Sequence, residues 1–514
     1  MTSGASLEPS REAFAEAWTA GRAQVVWTRL IDDLETPVSA YLKIAQGRPY
    51  AFLFESVEGG AWRGRYSIVA MKPDLVWRCR GDSAEIAEGE DISAGRFQPQ
   101  SGSALDSLRD LVSASRIDLP ASLPPPSAGI YGALSYDMVR LVEHLPGVNP
   151  DPLDLPDAVM IRPSVVAVFD AIAQEIILVT PARPDPAQTP QGAYSAAEAR
   201  LAAVMTDLKG AVPRHPAREA EPVDFQTQVS RADYATIVGR AKDYIGAGDI
   251  FQVVPSHRFS APYGGPPFAL YRSLRRTNPS PFLFYLNFGD FQLVGSSPEI
   301  LVRLRDGKIT IRPIAGTRPR GATPEEDAAL EVELLADPKE RAEHLMLLDL
   351  GRNDVGRVAR LREDGKNDLD GERSMSSVRV TQSFFVERYS HVMHIVSNVE
   401  GDAPEGLDPV DVLMAALPAG TLSGAPKVRA MEIIDELELH KRGLTYAGAV
   451  GYFGADGSVD TCIVLRTGLV KDGLLHVQAG GGVVADSDAD AEYDETLHKS
   501  RALKRAAEEA WRFG

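Results

Sequence analysis

The apolar residues of this chain fall mostly into short β-like runs separated by turns, and that arrangement limits the fold more than any other feature. Runs such as PYAFLFESV and SVVAVFDAIAQEIILVT in the N-terminal part, and FQLVGSSPEILVRL in the C-terminal part, alternate with helical stretches. The pattern continues with a helix over 325–350, strands at 446–453, 459–470 and 474–479, and a last helix from about 489. Neither half shows the regular strand–helix alternation of a parallel doubly wound sheet. The expected fold is α+β, with large antiparallel sheets flanked by helices.

Two composition breaks divide the chain. Pro181 to Pro190 (PARPDPAQTP) is proline-rich and reads as a surface loop. Val212 to Pro222 (VPRHPAREAEP) mixes proline and charge without periodicity, which marks a linker. The expected domains are therefore 1–222 and 223–514, with the linker at 212–222. Beyond it, Gln226 to Ala247 reads as a helix with Tyr234, Ile237, Val238, Ala241 and Ile245 on one face. The phrases GIYGALSYD (129–137) and GAVGYFGADG (448–457) echo each other faintly.

Composition excludes several classes of function. With 514 residues, 44% hydrophobic and 25% charged, the chain has a globular make-up and room for a large core. Its two cysteines, Cys79 and Cys462, are far apart and form no metal-ligand spacing, which suits a reducing compartment. MTSGASLEPSREAFAEAW has no apolar targeting core, and no apolar run approaches about 18 residues, so a cytoplasmic protein is expected. A net charge of −18 without a basic block argues against nucleic acid or a membrane surface as partner. Binding an anion would then require local arginines, backbone N–H groups or a metal ion.

Several residues meet that requirement. Glu343, in PKERAEHLMLLDLGRND, has Met346, Leu347 and Leu350 along its stripe, so it is either ion-paired or bound to a cation. Glu492, Glu495 and Lys499 share one face of the last helix. Carboxylates from two helices facing one cavity would suit Mg²⁺, although spacing alone does not pair them. QAGGGVV (478–484) permits close backbone approach, either as an N–H cluster for an anion or as a plain turn. His391 and His394 lie in a strand-like stretch, on opposite faces by alternation with their neighbours 393 and 392. Arg466, inside the apolar DTCIVLRTGLV, wants a carboxylate of the protein or of a substrate. IRPIAGTRPRG (311–321) crowds three arginines around the small Ala315 and reads as an anion-facing loop.

Taken in order, these segments resemble the anthranilate synthase component I family, the large subunits among the chorismate-utilising enzymes. The carrying motifs are FLFESVEGGAWRGRYS, GDIFQVVPSHRF, NPSPFLFYL, GSSPEILVR, PIAGTRPRG and EHLMLLDLGRND, followed by RYSHVMH, PAGTLSGAPKVRAMEII, YAGAVGYF, DTCIVLR and AGGGVVADSDADAEYDET. The resemblance spans nearly the full length and implies the chorismate-utilising fold with an N-terminal regulatory domain. The implied reaction, the first step of tryptophan biosynthesis, takes chorismate and ammonia to anthranilate, pyruvate and water. Glu343 and Glu495 would be Mg²⁺ ligands, and Glu299 the general acid for the departing hydroxyl. His394 would serve pyruvate elimination, and Thr421 would position the ring. Gly316, Thr317, Tyr446, Arg466, Gly480 and Gly482 are implied at the substrate, with the GAPK run (424–427) framing the same cavity.

Two positions separate this chain from related enzymes. Aminodeoxychorismate synthases carry a nucleophilic lysine where Ala315 stands, and isochorismate-forming relatives carry a water-activating lysine where Gln252 stands. The resemblance also implies a tryptophan feedback pocket of Ser56, Pro281, Phe282, Leu283, Val450 and Tyr452. Leu283 departs from the methionine common in the family. Tyr446 and Tyr452 read as one short strand joining the two sites. No GxCxGxQ-type nucleophile elbow occurs, so ammonia is expected from a separate glutamine amidotransferase subunit, in a heterotetramer. The polar segment 361–375 (LREDGKNDLDGERSM) reads as a surface insertion.

Overall fold

In the computed structural model, residues 6–56, 64–213, 222–361, 376–389 and 392–513 are described. Among them, 21 strands join into one hydrogen-bonded network. One arm runs from Gln24–Ile31 through Glu175–Ala182, Ala158–Asp170, Tyr66–Arg80 and Ala51–Glu55. It continues through Phe282–Asn287, Phe291–Ser297, Thr467–Lys471 and Leu474–Gly480 to Ser256–Pro262. The second arm leaves Ala158–Asp170 through Gly129–Leu134, Ala449–Gly454, Val459–Ile463, Ile300–Arg305 and Lys308–Ile311. It ends at Val392–Asp402, which Ile314–Pro319 and Arg379–Arg388 also pair. Each of these pairs is antiparallel, in agreement with the α+β expectation.

Short turns explain why. Asp306-Gly307 and Asp472-Gly473 each join two strands, with φ of 51° and 68°, and of 50° and 75°. Positive φ at both central positions matches the natural twist of a hairpin, and Asp-Gly accepts it at low cost. Among the described residues, strand pairing joins the N- and C-terminal parts at two places. Ala51–Glu55 pairs with Phe282–Asn287, and the two phrases that echo each other in sequence pair directly, Tyr131 opposite Tyr452.

Helices cover the outer faces. Pro190–Leu208, Pro267–Thr277 and Ala489–Glu509 bury Leu201, Tyr271 and Leu503 in one cluster. Ala104–Ala114 and Pro409–Ala416 bury Leu108 and Leu413 in a second. A third cluster joins strand residues of both arms, including Phe52, Phe284, Leu293, Val450 and Cys462. Both cysteines are buried free thiols. Among the described residues, no helix is long and apolar enough to cross a membrane.

Four elements differ from the sequence reading. The helix expected from Gln226 begins at Arg231, where Ser230 and Asp233 form a capping box, and Gln226–Thr227 pairs instead with Ser260 and Phe259. The helix expected over 325–350 is two, Pro324–Ala336 and Pro338–Gly356, because Pro338 has no N–H and Asp337 caps the second. The strand expected over 459–470 breaks between Val459–Ile463 and Thr467–Lys471, with Arg466 at φ 48° in the gap. Tyr446 lies outside the strand that holds Tyr452, which starts only at Ala449 after Ala447 turns the chain at φ 62°.

Candidate active site

Glu299 sits where Phe291–Ser297 gives way to Ile300–Arg305, its carbonyl fixed by the Ile463 N–H at 3.0 Å. The side chain is buried, and Thr421 donates to its Oε1 at 3.3 Å. Burial pushes the carboxyl up to about 8, against the opposing pull of Thr421, a backbone N–H and Arg466. Such a group holds a proton at neutral pH and can give it away.

Arg466 occupies the break between two strands, so its left-handed backbone re-aims a side chain that a regular strand would have placed on one sheet face. No carboxylate among the described residues lies within ion-pair distance of its guanidinium, while burial lowers its pKa. Of the two answers left open by the sequence, a protein carboxylate or a substrate carboxylate, the first is absent among those residues.

His394 follows from the pairing of Val392–Asp402 with Ile314–Pro319, which sets it opposite Thr317 across a register shift at Gly316. Its Nδ1 lies 3.0 Å from the Gly316 carbonyl and 3.1 Å from the Thr317 hydroxyl. A carbonyl only accepts, so Nδ1 carries the hydrogen and Nε2 keeps its lone pair. Burial lowers the imidazole pKa, which favours that neutral tautomer. His391 lies outside the described residues.

Glu343 projects from Pro338–Gly356 and Glu495 from Ala489–Glu509. Burial raises the Glu343 carboxyl pKa, and the charges of Glu340 and Glu495 raise it further. Glu492 is raised by burial too, with Ser487 donating to one oxygen and the other buried without a partner. Lys499 bridges this group to the glycine run, pairing with Glu495 at 2.7 Å and donating to the Gly480 carbonyl at 2.8 Å. Among the described residues no three His, Cys, Asp or Glu side chains form a ready-made metal centre. Mutually repelling carboxylates with an orphaned oxygen fit a hard divalent cation that takes its remaining ligands from water and substrate.

In the run Gly480-Gly481-Gly482, the Gly481 N–H goes to the Pro255 carbonyl at 3.3 Å and the Val483 N–H to the Val253 carbonyl at 2.8 Å. The Gly482 N–H has no acceptor among the described residues, which leaves it available as a donor. A Cβ on Gly482 would lie 2.8 Å from Nε2 of Gln252, and one on Gly480 would lie 3.1 Å from the Tyr446 hydroxyl. The tighter constraint at Gly480 is the Pro255 carbonyl oxygen, 2.5 Å from such a Cβ, so glycine is what lets the two strands pack closely there, while Gln252 meets Gly482 with the movable end of its side chain. Gln252 is buried with its Oε1 unpartnered.

The arginines of IRPIAGTRPRG are taken up by carboxylates of the protein itself. Arg312 pairs with Glu387, Arg320 with Asp327, and Arg318 with Glu333, Asp337 and Glu340. The segment is strand rather than loop for Ile314–Pro319, and Ala315 is 8% exposed. Lys427 of the GAPK run pairs with Asp354 at 2.6 Å. Two further residues support the site: Lys499, already placed on the carboxylate face from the sequence, and Arg442, which the sequence reading did not single out. Arg442 pairs with the buried Glu438 and stacks its guanidinium 5.2 Å from the Tyr446 ring. Both belong to i,i+4 acid–base pairs visible in the sequence, which are usually only surface pairs.

A separate cavity of about 380 Å³ opens between the two sheet arms, lined by Ser56, Pro281, Phe282, Leu283, Val450 and Tyr452 together. Arg303 and Arg305 flank it, sharing Asp460. The segment expected as an insertion falls, at 362–375, outside the described residues.

The likeness to known proteins agrees with this geometry. The family model of the chorismate binding enzyme matches residues 52–505. The chain is 56% identical to anthranilate synthase component 1 of Cereibacter sphaeroides, over 98% of each chain. It is 47% identical to that of Thermus thermophilus, over 93% of this chain and 96% of the other. The crystal structure of anthranilate synthase component I from Streptococcus pneumoniae superposes with a TM-score of 0.74, at 35% identity over 92% of this chain and 98% of that one. The menaquinone-specific isochorismate synthase of Escherichia coli shares the fold at a TM-score of 0.69 and 17% identity, over 95% of this chain and 94% of that one. The chain belongs to the chorismate-binding enzyme family. Within it, the chain falls with the component 1 proteins of anthranilate synthase.

Proposed function

We propose that the protein converts chorismate and ammonia to anthranilate, pyruvate and water, the activity of the component 1 branch to which it belongs. The observation that carries the reading is Glu299, a carboxyl held protonated near neutral pH beside Thr421 and Arg466, an arginine with no carboxylate partner among the described residues. Arg466, the Tyr446 hydroxyl and the Gly482 N–H bind the side-chain carboxylate of chorismate, and the Gly316–Thr317 strand segment borders the ring. Ammonia adds at C2 while Glu299 protonates the C4 hydroxyl, which leaves as water. His394 then takes a ring proton on Nε2 as pyruvate departs and the ring becomes aromatic.

Glu343 and Glu495 are the residues that would hold Mg²⁺; when bound, the ion neutralises the ring carboxylate. Ala315 and Gln252 deny the site a lysine at either position that would direct the chemistry elsewhere, which disfavours an aminodeoxychorismate or isochorismate product. Residues 1–222 then serve as the regulatory part and 223–514 as the catalytic part. Tryptophan is the effector of the 380 Å³ cavity, and a glutamine amidotransferase subunit supplies ammonia in a cytoplasmic complex.

The test is incubation of the purified chain with chorismate, Mg²⁺ and an ammonium salt, with and without tryptophan. Anthranilate formation that tryptophan suppresses is the expected result. A non-aminated chorismate product, or a 4-amino product, overturns the assignment.

A further inference from the structure

A second cavity, of about 450 Å³, lies against the strand pair Ser256–Pro262 and Leu474–Gly480, closed on its other sides by Gln226–Val229 and the Glu438–His440 segment. None of the residues given a role above in catalysis or in the effector pocket lines it. Arg258, opposite Gln478 in the register, projects into it. One guanidinium nitrogen donates to the Lys441 carbonyl at 2.9 Å, but Nε is buried without a partner.

Among the described residues, nothing balances the charge of Arg258. No carboxylate among the described residues pairs with it, and the two acids that act on it through space are engaged elsewhere. Asp151 lies 3.8 Å from Lys441, and Glu438 is paired with Arg442. Buried charges normally have a partner, because desolvation without one is expensive. Three histidines line the cavity: His257, whose two ring nitrogens meet the hydroxyls of Thr227 and Thr496, and the pair His440 and His476, of which His476 meets the Ser260 hydroxyl at 2.8 Å. Burial, with Arg258 adding to it, lowers the pKa of both members of that pair. Lys471, also in the wall, is balanced by Asp472 at 2.7 Å. Leu153, Leu439 and Leu474 give the wall an apolar patch among the polar Gln226, Gln228 and Gln478, and its two carboxylates, Glu438 and Asp472, are paired with Arg442 and Lys471.

We propose that this cavity is a binding site for a small organic carboxylate, whose charge completes Arg258 and whose apolar body rests on the leucines. A guanidinium donor edge suits a planar carboxylate, and donors on His440 and His476 can close around it. The site is separate from the chorismate reading and does not depend on it.

The experiment is NMR titration of the histidine side chains in the full-length protein, labelled on imidazole, with butyrate as the probe and inorganic phosphate in a parallel arm. With saturating butyrate, the His440 and His476 midpoints should rise by about 1 pH unit, as they do beside a new anion. Arg258→Met should remove that response while Arg258→Lys keeps part of it, and the unaltered His394 resonance reports that each variant is folded. A response to phosphate but not butyrate overturns the carboxylate assignment. No response to either anion, or an equal response in a folded Arg258→Met, overturns the site.

Discussion

The Thr421 hydroxyl donates a 3.3 Å hydrogen bond to Oε1 of Glu299, and this contact is the largest of three, with the Ile314 backbone and Arg466, that oppose the burial keeping the carboxyl protonated. With its pKa pushed up to about 8, Glu299 is an acid up to that pH. Activity should therefore fall as pH rises through about 8, the point at which the proton is lost. Thr421→Val removes a bond that favours the ionised form, so it should move the alkaline limb of the kcat profile upward. Glu299→Gln should lower kcat by about 10²–10⁴-fold, the usual worth of a general acid. The linked stability has a definite sign. An ordinary unfolded carboxyl releases its proton earlier than Glu299 does, so this contribution is intact at acid pH and is lost as pH rises towards about 8. Thermal melting of wild type and Glu299→Gln across that range measures it.

Arg466 and Arg442 make opposite predictions from the same residue type. Arg442 is 1% exposed at its side chain and pairs with an equally buried Glu438, so Arg442→Met leaves a buried anion uncompensated and should cost about 3–5 kcal/mol. Arg466 has no acidic partner among the described residues, so Arg466→Met should leave the denaturation midpoint unchanged or higher. It should instead raise the chorismate KM about 10- to 100-fold, the worth of a charged hydrogen bond. Urea denaturation and steady-state kinetics on both variants separate the two roles. A large stability loss in Arg466→Met would point to a missed protein partner.

Glu343 resists ionisation because burial, Glu340 and Glu495 all raise its pKa. In metal-free protein at neutral pH, Glu343→Gln should therefore melt higher than wild type, since it removes a repelled charge. Added magnesium should stabilise the wild type and not Glu343→Gln or Glu495→Gln, and both variants should lose turnover. Differential scanning calorimetry with and without the ion reads this directly. An equal magnesium response in all three proteins would sink the carboxylate assignment.

Ser56 lies at the wall of the 380 Å³ cavity, just past the strand Ala51–Glu55. Ser56→Phe should fill part of that space and abolish inhibition by tryptophan while leaving turnover near wild type. The measurement is anthranilate production against tryptophan concentration. Unchanged sensitivity in an active variant would place the effector elsewhere.

Much of the architecture is legible in the chain, for local reasons. Strand runs separated by Asp-Gly turns specify antiparallel pairing without knowledge of the partner strands, because the turn geometry is a property of two residues. Helix edges were less visible, since the Ser230–Asp233 box and the Asp337 cap act within one turn while a periodicity window spans several. Ser56 and Leu283 point to one pocket only through their motifs, and the pairing of Leu283 with Glu55 is what places them at the same cavity wall.

What the sequence alone determined is the supply of chemistry: a carboxyl at 299, a histidine at 394, acids at 343 and 495, no lysine at 252 or 315. What only the tertiary structure decided is which charges are already satisfied. Arg312 looks like an anion binder in its motif yet is neutralised by Glu387, 75 residues away, while Arg466 looks like a strand residue yet sits at φ 48° with no counter-ion among the described residues. The physical reason is the range of the interactions. Side-chain type and turn preference are encoded in a few adjacent residues, but the electrostatic state of a buried group depends on neighbours that the fold alone brings within a few ångströms.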